Sequence, residues 1–281
     1  MQVFDTITAL RRELALHRHQ RIALVPTMGN LHDGHLALVQ AAKQHADVVV
    51  VSIFVNPTQF GAGEDFDSYP RTLAADVAKL KTVAADLVFA PSVGEMYAKL
   101  PPSVSVLVGN ISQILCGRTR PTHFDGVGLV VSKLLNIVQP DVAVFGKKDY
   151  QQLAIIRQLV AELNFNVDII GVEVQRAPDG LALSSRNQYL TADERAHAPY
   201  LQQCLQQLAT QLQTAAFADF TQLVDHTVAN LNASGFRVDY VEVRAQSLAP
   251  ATANTADLVI LAAAWLGKAR LLDNVEVTRK Q

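Results

Sequence analysis

The stretch IALVPTMGNLHDGHLALVQAAK, residues 22 to 43, decides the fold class. Ile22 to Pro26 form a short apolar run, the chain then turns through two glycines, and Leu36, Val39 and Ala42 recur at helical spacing. A buried strand, a turn and a helix with one apolar stripe, in immediate succession, make up the repeating unit of a parallel α/β sheet. The turn carries His32 and His35, three residues apart, at the point where the strand ends.

Working outward, the same rhythm returns. Apolar runs at 47–55 (DVVVVSIFV), 86–90 (DLVFA), 142–145 (VAVF) and 167–174 (VDIIGVEV) read as strands, and Leu73, Val77, Leu80 and Ala84 give a second helical stripe. These runs predict a doubly wound parallel sheet over residues 1–176. From 177 to 281 the texture changes to a smaller α+β domain. One helix is expected across 191–213, with Thr191 as cap and Glu194 as its partner, a second near 217–232, and strands at 237–245 and 257–266. The Gln-rich face of the first of these helices reads as a solvated surface.

The 281 residues are 49% hydrophobic and 18% charged with a formal charge of -2, so a large interior is available and no basic field exists to gather nucleic acid. No apolar run approaches the roughly 20 residues of a bilayer helix, and the N-terminus lacks the pattern of a secretory signal. Cys116 and Cys204 share no metal or redox spacing. A cytoplasmic protein with small-molecule partners, and with neither nucleic acid nor membrane among them, is expected.

In such sheets ligands gather beyond the carboxyl ends of the strands, and the polar clusters of this chain fall there. At the first, the open N–H groups of a helix start and two imidazoles favour phosphate. The rival readings are a zinc pair, for which no third ligand is suitably spaced, and two purely structural histidines. The second cluster, NPTQF, offers Asn56 and Gln59; the third, GKKDYQQ, offers Lys148, Asp149 and Gln152. SSRN (184–187) brings two hydroxyls and a guanidinium, and RPTHFDGV (120–127) brings Arg120 and His123. Each is weak alone. No Walker loop or G-x-G-x-x-G is present.

In this order, PTMGNLHDGH, FVNPTQF, DFDSYPRT, RPTHFDGV, SKLLNIVQPDVAVFGKKDYQQL and DGLALSSRNQYL resemble the pantothenate synthetase (pantoate–β-alanine ligase) family, within the wider H-x-G-H nucleotidyltransferase group. The resemblance spans most of residues 20–190. It implies a Rossmann-like first domain, a smaller second domain acting as a lid, and a homodimer. It implies ATP with Mg2+ on the triphosphate, and the substrates pantoate and β-alanine, joined through a pantoyl-adenylate with release of pyrophosphate and AMP. Met28, Gly29, Asn30, Leu31, His32, Asp33, Gly34 and His35 would wall the ATP site. Gly146, Lys147, Lys148 and Asp149 would hold the nucleotide, Lys148 at phosphate and Asp149 at the ribose. Gln175 would meet adenine through its main chain. Leu183, Ser184, Ser185 and Arg186 would close over the triphosphate, and Gln59 and Gln152 would hold pantoate. His32, His35, Lys148 and Arg186 are the expected catalytic donors, while the protein ligands of a metal stay unknown.

Three positions depart from the family pattern. Cys116 and Lys147 stand where acidic residues are usual, and Thr58 where methionine is common. Loss of an acid at 116 is expected to weaken the hydrogen-bond support of Asn56 or of a substrate amide, and Lys147 to add positive charge near the triphosphate. A different nucleotidyltransferase, or a nucleotide-binding protein without activity, are the alternatives.

Overall fold

The computed structural model describes residues 1–61, 63–64 and 66–280. The chain divides into two compact units, Met1–Lys147 with Ile155–Glu173, and Lys148–Ala154 with the chain from Val174 onward. Among the described residues no helix is long and apolar enough to cross a membrane.

The first unit runs β1 (Gln2–Phe4), α1 (Ile7–Leu16), β2 (Ile22–Thr27), α2 (Asp33–Lys43), β3 (Val48–Ile53), α3 (Leu73–Thr82), β4 (Leu87–Phe89), α4 (Val93–Met96), α5 (Cys116–Thr119), α6 (His123–Val138), β5 (Val142–Gly146), α7 (Tyr150–Glu162) and β6 (Asp168–Val172). The first turn of α7 belongs to the second unit. Six strands form one sheet in the order β1-β4-β3-β2-β5-β6, and every pairing is parallel. The apolar strands β2 and β3 are buried along most of their length because helices cover a parallel sheet on both faces. One such face packs Ala23, Val25, Val49, Val51, Val142 and Val144 against Leu38, Val39 and Ala42 of α2. The chain winds from β2 towards β4 on one side and reaches β5 on the other, so the loop after β2 lies at the switch in strand order.

The second unit contains α8 (Ala192–His197), α9 (Tyr200–Leu212), α10 (Phe220–Ala233), β7 (Arg237–Ala245), β8 (Asp257–Leu266) and β9 (Ala269–Thr278), with the three strands antiparallel in sequence order. Leu201, Leu205, Leu208 and Leu212 of α9 are buried together with Leu258, Ile260 and Ala262 of β8. Gln203, Gln206, Gln207 and Gln211 lie on the exposed side.

Four local features differ from the sequence reading. The N-terminus opens with β1, an edge strand too short to show a period. The strand β9 follows β8 through a tight turn and was not expected, since its pattern mixes charges (Arg270, Asp273, Glu276) with apolar residues. The helix expected across 191–213 is two helices, broken at Pro199, although the Thr191–Glu194 capping box is present as expected. On α3, Leu73 is exposed and Ala84 lies beyond the helix end with φ 51°. The buried members of that face are Leu80 and, unexpectedly, Asp76.

Candidate active site

The loop after β2 is bent by residues in the left-handed region: Gly29 has φ 81° and Asn30 φ 51°. Such a loop leaves backbone N–H groups pointing inward, and a buried N–H needs an acceptor. Asp76 supplies it. Its carboxylate, 1% exposed, accepts from the N–H of Leu31 at 2.8 Å and of Asn30 at 3.0 Å, and from the Thr72 hydroxyl at 3.0 Å. Lys79 Nζ donates to the Leu31 carbonyl at 2.6 Å, so α3 fastens the loop from both sides. A Cβ on Gly29 would crowd Asp76 and Ile53, and the positive φ would strain it further. Sequence reasoning missed Asp76. Its signal was there: a carboxylate three residues after Leu73 and four before Leu80, on the stripe where an apolar residue belongs.

His32 is the N-cap of α2. Its Nδ1 accepts the Gly34 N–H at 3.1 Å, while Nδ1 of His35 accepts the His32 N–H at 3.3 Å, a reciprocal capping box built from two imidazoles. The ring centroids are 4.1 Å apart. The expectation that the helix start keeps its N–H groups open is therefore corrected, since the Gly34 N–H is already satisfied by a ring. The same bonds have a chemical consequence. A ring nitrogen that accepts carries no proton, so each neutral imidazole holds its proton on Nε2 and presents that N–H as a donor.

The loop after β3 is built from side chains. Asn56 is 1% exposed. Its amide donates to Gln59 Oε1 at 3.0 Å and to the Gly126 carbonyl at 3.1 Å, and its Oδ1 accepts from the hydroxyls of Tyr97 at 2.9 Å and Thr58 at 3.0 Å. Burial pushes the Tyr97 phenol up from its ordinary value, which keeps it an O–H donor. The support of Asn56 thus comes from Tyr97, Thr58 and α6. Cys116 is buried in α5. Gln59 completes the loop: its Nε2 lies 3.2 Å from Met28 Sδ, which brings the carboxamide against the loop that carries both histidines.

Gly146 ends β5, and Lys147 to Asp149 make a 3-10 turn leading into α7. Lys147 pairs with Glu173 within the first unit. The remaining expected residues belong to the second unit. There Lys148 is mostly buried with Asp149 half exposed at 3.7 Å, the Lys148 carbonyl accepts from the Asn274 amide at 3.1 Å, and Gln152 lies in the first turn of α7. Gln175 faces Leu183 across a short hairpin, where the Leu183 N–H donates to the Gln175 carbonyl at 2.9 Å. Arg176 locks that hairpin to β9 by a two-pronged pair with Asp273, 2.7 and 2.8 Å. The Ser184 hydroxyl caps the following turn by accepting the Arg186 N–H at 3.3 Å, and Ser185 begins that turn.

The structure thus brings Met28 to His35 together with Gln59 in the first unit, and it groups Lys148, Asp149, Gln152, Gln175 and Leu183 to Arg186 with the second. Among the described residues, no three of the His, Cys, Asp and Glu side chains form a group able to hold a metal ion.

A family model described as pantoate-beta-alanine ligase matches residues 2–276. A pantothenate synthetase of Psychrobacter sp. (strain PRwf-1) is 61% identical over 280 residues, covering 98% of each chain. That of Acinetobacter baylyi is 53% identical over 282 residues, with both chains fully covered. Among solved structures, the pantothenate synthetase of Thermus thermophilus superposes with a TM-score of 0.90 at 40% identity, covering 99% of this chain and 100% of that one. The pantoate-beta-alanine ligase of Francisella tularensis, complexed with beta-gamma ATP and beta-alanine, gives a TM-score of 0.81 at 36% identity over 98% and 97%.

Proposed function

From the premise that this chain belongs to the pantoate–β-alanine ligase family, we propose that it joins pantoate to β-alanine through a pantoyl-adenylate. A pantoate carboxylate oxygen attacks the α-phosphorus of ATP and the bond to the pyrophosphate breaks. The β-alanine amine then attacks the acyl carbon, and AMP leaves with the electron pair of the broken C–O bond. The observation that carries this reading is the contact of Gln59 with Met28. It sets a carboxamide suited to pantoate beside a turn whose imidazoles are arranged as Nε2–H donors.

In this reading His35 and His32 donate to phosphate oxygens as charge grows on the departing pyrophosphate, with the Met28–His35 turn as a wall of the ATP site. A displacement at phosphorus asks mainly for positioning and charge stabilisation, which fixed donors supply without reorganising. Lys148 and Arg186 are assigned to phosphate oxygens, Asp149 to the ribose hydroxyls, and the main chain of Gln175 to adenine. Gly146, Lys147 and Leu183 to Ser185 are assigned to the rest of the nucleotide contacts, and Gln152 joins Gln59 on pantoate. Since the described residues build no cage of three or more metal-ligating side chains, Mg2+ is assigned to the triphosphate it arrives with, in keeping with its habit of retaining water and phosphate ligands. Its chemistry there is charge neutralisation.

We further place the enzyme in the cytoplasm, where ATP is supplied, and take it to be a homodimer. The dimer reading is supported by Val104 and Leu107, which are 69% and 78% exposed in a segment without regular structure.

The test is exchange of labelled pyrophosphate into ATP. Exchange is expected only when pantoate is added, and it should not require β-alanine. Exchange driven by another carboxylate would overturn the assignment of pantoate, and exchange that requires the amine would overturn the adenylate route.

A further inference from the structure

Arg120 and His123, singled out in the sequence but given no part in the reaction above, form with Glu64 a chain of side chains that ends on Gln59. Arg120 grips Glu64 with two N–H groups, Nε at 2.8 Å and Nη2 on the second oxygen, and its Nη1 lies 3.0 Å from His123 Nε2. His123 Nδ1 in turn lies 2.7 Å from the Gln59 carbonyl oxygen. A guanidinium has no acceptor, so His123 Nε2 must accept, and the ring proton must be on Nδ1, where it donates to Gln59. The tautomer is thereby set from Glu64 onward, the reverse of that held by His32 and His35.

The rest of the α6 face agrees. Gly126 is one turn after His123, and a Cβ there would overlap the Thr58 carbonyl and lie 2.7 Å from the Gln59 N–H nitrogen. Its carbonyl takes the Asn56 amide. The helix therefore lies directly against the 58–59 backbone, with His123 fastening the carbonyl of Gln59 while Asn56 and Met28 fasten its carboxamide. Both His123 and Gln59 are about nine-tenths buried, so the bond is shielded from competing water.

We propose that the Glu64–Arg120–His123 chain aligns Gln59 for pantoate, with His123 as a positioning residue that touches no substrate. This rests on the assignment of Gln59 to pantoate. The first test reads the wild-type ring: nitrogen-15 spectra of the histidines in the intact protein should show one ring, assigned by its absence from a His123→Asn sample, protonated on Nδ1 and not on Nε2. The second is pantoate-dependent pyrophosphate exchange. His123→Leu is expected to raise KM for pantoate about tenfold or more while KM for ATP stays within about twofold. His123→Asn, whose amide can replace the Nδ1–H donor, is expected to recover most of the loss. A His123 ring protonated on Nε2, equal effects on both KM values, or no rescue by asparagine would each overturn the proposal. Should the wild-type exchange itself not depend on pantoate, the assignment of Gln59 fails first, and the inference with it.

Discussion

The loops that follow the neighbouring parallel strands β2 and β3 are rigid for different reasons. After β2 the backbone itself is fastened: Asp76 takes two of its N–H groups, Lys79 takes a carbonyl, and each histidine caps a main-chain N–H. After β3 the fastening runs mostly between side chains, through Asn56, Tyr97, Gln59, His123, Arg120 and Glu64. The difference suits what each loop is proposed to hold. A polyanion is met by ring N–H donors that a fixed backbone holds in place, whereas a small hydroxy acid is met by a carboxamide whose direction must be set.

The comparison breaks most severely at Asp76. Asp76→Ala leaves two inward N–H groups without an acceptor, which costs roughly 2 to 6 kcal/mol of stability. Denaturant unfolding should show it, and the adenylation rate should fall further than in any single donor variant. An unchanged unfolding midpoint would mean that the loop does not depend on α3. His35→Ala separates chemistry from scaffold. It gives up one transition-state donor, so exchange should slow on the order of a hundredfold or more, while loss of its bond to the His32 N–H costs about 1 kcal/mol of stability. Near-normal turnover would remove His35 from the reaction.

The smallest effect sharpens the second loop. Hydrogen bonding to Arg120 is the main reason the Glu64 carboxyl lies below its ordinary value near 4.5. A lowered carboxyl pKa contributes stability above the unfolded-state value and loses it as pH falls through the folded-state value. The wild type should therefore exceed Glu64→Gln in melting temperature by a few degrees at most at neutral pH, and the gap should close below about pH 4.5, as the linkage requires. A gap that stays constant into acid would show that the Arg120 pair does not set it.

Much of this was legible in the residue order. Runs such as VVVV at 48–51 and the spacing of Leu205, Leu208 and Leu212 announce a buried strand and a one-sided helix, because burial imposes a period on the chain locally. The edge strand β1 was missed, since three residues show no period, and β9 was missed because Arg270, Asp273 and Glu276 find partners in Asp239, Arg176 and Tyr150 that make charge tolerable in a strand. The motif residues could be named as chemistry-bearing types, but their states were not visible. Nothing in H-D-G-H tells which ring nitrogen carries the proton.

From the order of residues alone came the alternation of strands and helices, the positions of the polar turns at strand ends, and the family to which those turns belong. Each is a local property, set by side-chain period and by short motifs. The tertiary structure alone decided that Asp76, some 45 residues along the chain, pins the first turn, that Lys147 pairs with Glu173, and that His32 and His35 hold the opposite tautomer to His123. A buried polar group must find a partner, and which partner it finds depends on segments that only folding brings within 3 Å.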